Sequence, residues 1–115
     1  LKTEPITTQV FFPSGSGQAN IDEDVLTCET AFDCFDAVAE LSCDWYPAAG
    51  ALGCEETEQT CLINSINGVA PSGFNEYWQF EVNGVMAETG VSCFRPAPGD
   101  VLSIRIAEFD WGDFS

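Results

Sequence analysis

Apolar and polar positions alternate with a period of two through several stretches of this chain. Trp78, Phe80 and Val82 alternate with Gln79 and Glu81, and Leu102, Ile104 and Ile106 alternate with Ser103 and Arg105. That spacing predicts strands with one buried and one wet face. Thr7 to Pro13 is β-branched and aromatic and runs into Pro13-Ser14-Gly15-Ser16-Gly17, a turn composition. A second strand is predicted from Ala19 to Leu26, weakened by Asp22, Glu23 and Asp24, and the two form an N-terminal hairpin. The period then changes. Ala31, Cys34, Phe35, Val38 and Leu41 fall on one helical face behind Thr30 and Asp33, which are spaced as a capping box, so a helix is predicted over Ala31 to Cys43.

From Asp44 to Thr60 the composition turns to Pro, Ala, Gly and acidic residues, which reads as a long loop carrying Trp45 and Tyr46. Loops of that length in a small domain are functional or stapled, and Cys43, Cys54 and Cys61 stand at positions to staple this one. Beyond it, Cys61 begins a third strand that ends at Ile66-Asn67-Gly68-Val69. Asn83-Gly84 is a strong hairpin signal, because both central residues of a type I′ turn need positive φ.

The segments Ile66-Asn67-Gly68-Val69, Tyr77 to Val85 (YWQFEVNGV), Gly90-Val91 and Gly99-Asp100-Val101 resemble the DUF4430 and transcobalamin-C-terminal-like β-grasp domains. The resemblance covers the C-terminal half closely and the N-terminal half in layout. It implies an α+β fold, a β-grasp of order β-β-α-β-β-β, in which a mixed sheet wraps one helix and the first and last strands pair in parallel at its centre. It also implies a binding module rather than a catalyst. In cobalamin carriers the similar domain supplies one wall of a corrinoid site from this hairpin region. Trp78 and Tyr77 are therefore the candidate ligand-binding residues, against the alternative that aromatic residues on a strand simply pack a core.

At 115 residues the chain fits one domain, spanning 1–115. Nineteen acidic residues stand against Lys2, Arg95 and Arg105, a formal charge of −16. Nucleic acid and anionic membrane surfaces are poor partners for such a chain, since both are held by clustered Lys and Arg. With no histidine, the commonest general base and transition-metal ligand is missing. No apolar run approaches the ~20 residues that span a bilayer, so membrane insertion is not expected. Cys28, Cys34, Cys43, Cys54, Cys61 and Cys93 contain no Cys-x2-Cys step, so zinc is disfavoured and disulfides are expected, with fifteen possible pairings. Disulfides place the protein in an oxidising compartment: extracellular or at the cell surface, its secretory signal removed.

Two acidic clusters, Asp22-Glu23-Asp24 and Asp110-Trp111-Gly112-Asp113, offer oxygen to calcium as a counter-ion, but neither has EF-hand spacing, and no metal site or cofactor is assigned. Leu1 to Ile6 and an aromatic tail over 107–115 lie outside the β-grasp pattern. Leu1, Phe109, Trp111 and Phe114 are accordingly candidate interface residues, docking on another copy by strand addition or as aromatic anchors. The expectation is a secreted, non-catalytic binding module that self-associates into a surface structure or filament. The alternative is a small-ligand domain of cobalamin-carrier type centred on Trp78.

Overall fold

The computed structural model describes residues 4–48, 50, 54, 55, 58–87 and 89–108. Strands β1 (Ile6–Phe11) and β2 (Ile21–Val25) precede helix α1 (Ala31–Val38); β3 (Leu41–Pro47), β4 (Gln59–Ile66), β5 (Glu76–Val82), β6 (Val85–Met86) and β7 (Val101–Glu108) follow. Five strands form a mixed sheet in the order β2-β1-β7-β5-β6, and β3 with β4 forms a separate two-stranded sheet. β1 and β7 pair in parallel at the sheet's centre, Thr7 opposite Val101, and every other pairing is antiparallel. The expected α+β, β-grasp-like class is what the chain adopts.

Buried residues of the central strands face α1. Val10, Leu102, Ile104 and Phe80 pack with Ala31, Cys34 and Phe35 of the helix, and the Phe35 and Phe80 rings meet edge to face at 6.0 Å. The capping box forms as expected: the Asp33 N–H donates to Thr30 Oγ1, and the Thr30 N–H donates to Asp33 Oδ2. Both Asn-Gly pairs turn with positive φ at both residues, 49° and 80° at Asn67-Gly68 and 53° and 82° at Asn83-Gly84. The second turn closes the β5–β6 hairpin, and Asn83 also accepts the Val101 N–H and donates to Asp100, tying it to the start of β7.

The structure departs from the sequence pattern after the helix. α1 stops at Val38, and Leu41 to Pro47, expected as helix end and loop, is a strand. Ala39 is already extended (φ −150°). Next to it the Glu40 N–H donates to Asn67 Oδ1 at 2.7 Å while the Asn67 N–H donates to the Glu40 carbonyl at 2.8 Å. These reciprocal bonds draw the chain out of the helix and start the pairing of Leu41 with Ile66. Hence the loop is shorter than expected, and Trp45 and Tyr46 sit on a strand. β2 forms despite its three acids, because it is an edge strand whose Asp22, Glu23 and Asp24 all stay exposed.

Candidate functional site

The β3–β4 hairpin is braced internally and tied to the turn at 91–94 and to helix α1. Cys43–Cys61 crosses the hairpin itself, and Cys54–Cys93 ties the segment after β3 to the turn at 91–94. That turn is in turn fixed to the helix, since the Ala31 and Phe32 N–H groups donate to the Phe94 and Val91 carbonyls at 2.8 Å each. Trp45 of β3 then meets Phe32 of α1 edge to face at 5.0 Å. Cys28–Cys34 closes the approach to the helix.

This arrangement leaves a cavity of about 310 Å³ between the hairpin and the outer edge of β5. Tyr46, Leu62 and Ile63 line it from the hairpin, Trp78 and Phe80 from β5, and Met86 from β6. Every described lining residue is uncharged, in a chain with 19 acids. Tyr46, Leu62 and Met86 are also largely exposed at the rim. An apolar hollow with an exposed apolar rim on an acidic protein is the kind of surface that marks a binding site.

Two strand edges face this cavity. The Phe80 carbonyl accepts from the Ala87 N–H and the Glu76 N–H donates to the Gly73 carbonyl, so the outward positions of β5 are Glu76, Trp78 and Phe80. β6 pairs with β5 only at Glu81 and Val82, leaving Trp78 beside the cavity. On β4 the outward positions are fixed by Ser92, whose hydroxyl accepts the Cys61 N–H at 3.2 Å and donates to the Gln59 carbonyl at 3.1 Å. By the two-residue alternation Ile63 also directs its backbone groups away from β3.

Trp78 is 8% exposed and belongs to the core, with Phe12 edge-on to its ring at 6.1 Å. Its indole N–H is buried without a hydrogen-bond partner among the described residues. Burying such a donor unpaired costs free energy, and the orphan group lies on a residue that lines the cavity. Tyr77 points to the other face of β5, where its hydroxyl donates to Gln79 Oε1 at 2.6 Å and Gln79 Nε2 donates to Glu81 Oε2 at 2.8 Å. The two candidate ligand residues are thus separated by the pleat, although both contribute to the cavity's edge.

The other candidate residues are distributed differently. All six cysteines are paired as described. Among the described residues no three His, Cys, Asp or Glu side chains are grouped to hold a metal. Leu1, Phe109, Trp111 and Phe114, and with them the Asp110 to Asp113 cluster, lie outside the described residues. Sequence reasoning missed Tyr46, Leu62, Met86 and Ser92. The alternation Leu41, Cys43, Trp45 was a signal for β3, but the role of Ser92 depends on a tertiary approach that carries no local pattern.

No curated protein matches the chain. A solved structure, that of a candidate metal-binding protein from Ruminococcus gnavus, superposes with a TM-score of 0.61 at 12% identity, covering 93% of this chain and 99% of that one. At that identity the likeness concerns the fold. The model of the family described as "Domain of unknown function (DUF4430)" matches residues 44–107, from within β3 to within β7, more than half of the chain, and the protein belongs to that family.

Proposed function

We propose that the protein is an extracellular, non-catalytic binding domain that associates with copies of itself through the groove between the β3–β4 hairpin and β5. The uncharged, apolar-rimmed groove on a chain of net charge −16 carries this reading. Three disulfides in so small a domain fit an oxidising compartment. The described lining residues offer no carboxylate, amine or free thiol, which is poor equipment for acid–base or nucleophilic catalysis. Leu1, Phe109, Trp111 and Phe114 are the residues that would meet the partner copy. Repulsion between acidic subunits opposes assembly and is relieved by salt or by divalent cations such as calcium acting as counter-ions. Native mass measurement and sedimentation of the intact protein, from low salt to about 1 M and with and without calcium, test this. Oligomers that grow with ionic strength are expected, and a monomer under every condition would overturn the reading.

A second reading is favoured by one observation, the orphan indole N–H of Trp78. It would suit a small, flat ligand with an acceptor, stacked or edge-bonded in the cavity. At about 310 Å³ the cavity is at the lower end of small-molecule sites, so a corrinoid would rest against it and not inside it. Metal binding, the description carried by the Ruminococcus gnavus protein, has no matching donor set among the described residues of this chain.

A further inference from the structure

The chain carries the same tripeptide twice, Asn67-Gly68-Val69 and Asn83-Gly84-Val85, each behind a β-branched residue, Ile66 or Val82. Both Asn-Gly pairs turn with positive φ, and both glycines are exposed with open space where a side chain would stand. Asparagine is chemically labile before glycine, because no side chain shields the following backbone nitrogen. Local sequence and backbone therefore give the two asparagines the same chemistry, and only their tethers differ. Asn83 is held at both ends of its amide: Oδ1 accepts the Val101 N–H at 2.9 Å, and Nδ2 donates to the Asp100 carboxylate at 3.1 Å. Asn67 is held at one end, where Oδ1 accepts the Glu40 N–H at 2.7 Å, and its Nδ2 has no partner among the described residues. Exposure alone favours reaction at Asn83, which is exposed while Asn67 is half-buried. The charge-assisted bond to the leaving nitrogen of Asn83 outweighs this, since it must break before Cγ can turn towards the glycine.

We infer that Asn67 is a site of spontaneous modification, hydrolysed through a cyclic imide, and that Asn83 is protected from the same reaction by Asp100. The Gly68 nitrogen, its proton lost to hydroxide, attacks Cγ of Asn67. The N–Cγ bond forms, the Cγ–Nδ2 bond breaks, and Nδ2 leaves as ammonia with a proton from water, which restores the hydroxide. Water then opens the imide. Opening at Cγ gives aspartate with the backbone intact; opening at the main-chain carbonyl carbon gives isoaspartate, whose chain runs through Cγ and is longer by one carbon. One water is consumed and one ammonia released, with no oxidant. Aspartate keeps an oxygen for the Glu40 N–H. Isoaspartate does not keep it in place: the added backbone carbon breaks the turn, and with it the reciprocal bonds between residues 40 and 67 that start the Leu41–Ile66 pairing. The β3–β4 hairpin then frays from this end as the protein ages, whatever occupies the groove.

The test ages the folded, full-length protein at mildly alkaline pH and maps its peptides by mass and chromatography. Asn67 should hydrolyse roughly tenfold faster than Asn83, the factor that one hydrogen bond supplies. In the reduced, denatured chain the two rates should converge. Asp100→Ala frees the Asn83 amide nitrogen and should raise its rate towards that of Asn67; the denatured comparison serves if that variant fails to fold. The Glu40 amide should exchange faster in isoaspartate-containing protein and at its original rate in an Asn67→Asp variant. Folded protein in which Asn83 reacts as fast as Asn67, or in which neither reacts while both do when denatured, would overturn the site. Unequal rates in the denatured chain, or an unchanged Asn83 rate in folded Asp100→Ala protein, would remove the tether as the cause. Unchanged Glu40 exchange in isoaspartate-containing protein would sink the effect on the hairpin.

Discussion

At one border of the five-stranded sheet, β2 shows solvent Asp22, Glu23 and Asp24; at the other, β5 and β6 show Trp78, Val85 and Met86 beside an apolar hollow. Both are strand edges with backbone groups to offer, and charge on such an edge discourages another strand from joining it. One edge is thus defended and the other left receptive. A uniformly acidic coating for solubility would not produce that asymmetry, because no described residue of the groove lining carries a carboxylate. The difference supports the proposed binding surface more directly than the net charge does.

The strongest way to break the comparison is to release the hairpin that forms one wall of the receptive side. Cys54–Cys93 closes a separation of 39 residues. Replacing both cysteines by alanine should cost on the order of 4 kcal/mol in the chain-entropy account and lower Tm by roughly 15 °C. The groove should also loosen, seen as faster amide exchange across β3 and β4 while β1 and β7 remain protected. Equal loss of protection in both sheets would show that the hairpin and the main sheet unfold as one unit.

The second test exchanges the character of the defended edge. Asp22→Thr, Glu23→Val and Asp24→Thr together remove three exposed charges from β2 and raise its β propensity. The folded monomer should keep its Tm, but association should begin at lower protein concentration and depend less on salt, read by sedimentation. If the triple variant stays as dispersed as the unsubstituted protein, charge is not what keeps that edge unpaired.

How far these two edges could be read from sequence differs for physical reasons. The strands of the main sheet, both Asn-Gly turns and the parallel centre were legible, because period-two burial and positive-φ turn residues are local signals. β3 was not, since Leu41 continues the helical spacing of Ala31, Cys34, Phe35 and Val38 while also opening the alternation with Cys43 and Trp45. The tie-breaker is the Glu40–Asn67 bond pair, 27 residues apart and invisible locally. The groove was legible only on β5, at Tyr77 and Trp78. Its other wall depends on which cysteines pair, a choice among fifteen that sequence leaves open, and on the Ser92 plug at the hairpin's edge.

A third prediction tests whether the helix supports the receptive side. Thr30→Ala removes the side-chain half of the capping box and should cost about 1 kcal/mol. Since Phe32 meets Trp45 and the first helical amides hold the 91–94 turn, exchange should quicken first at Ala31, Phe32 and the hairpin. A loss of protection confined to β1 and β2 would contradict this path of support.

The smallest expected effect concerns the sheet face turned away from α1. There Arg105 Nη2 lies 3.3 Å from Glu81 Oε1, and its guanidinium sits 4.7 Å above the Phe11 ring. The arginine side chain is 45% exposed, so solvent screens the pair. Exposed ion pairs contribute roughly 0 to 1 kcal/mol and an exposed cation–π contact ~0.5 to 1. Arg105→Gln keeps the stem and removes the charge, and should lower Tm by only a few degrees. The gap to the unsubstituted protein should narrow at high salt, where the ion pair is already screened. Association should be unaffected, because Glu81 and Arg105 lie on the opposite side of the pleat from Phe80 and the helix. An Arg105→Gln variant that failed to assemble would place the polar face of the sheet in the contact and remove the distinction between the two edges.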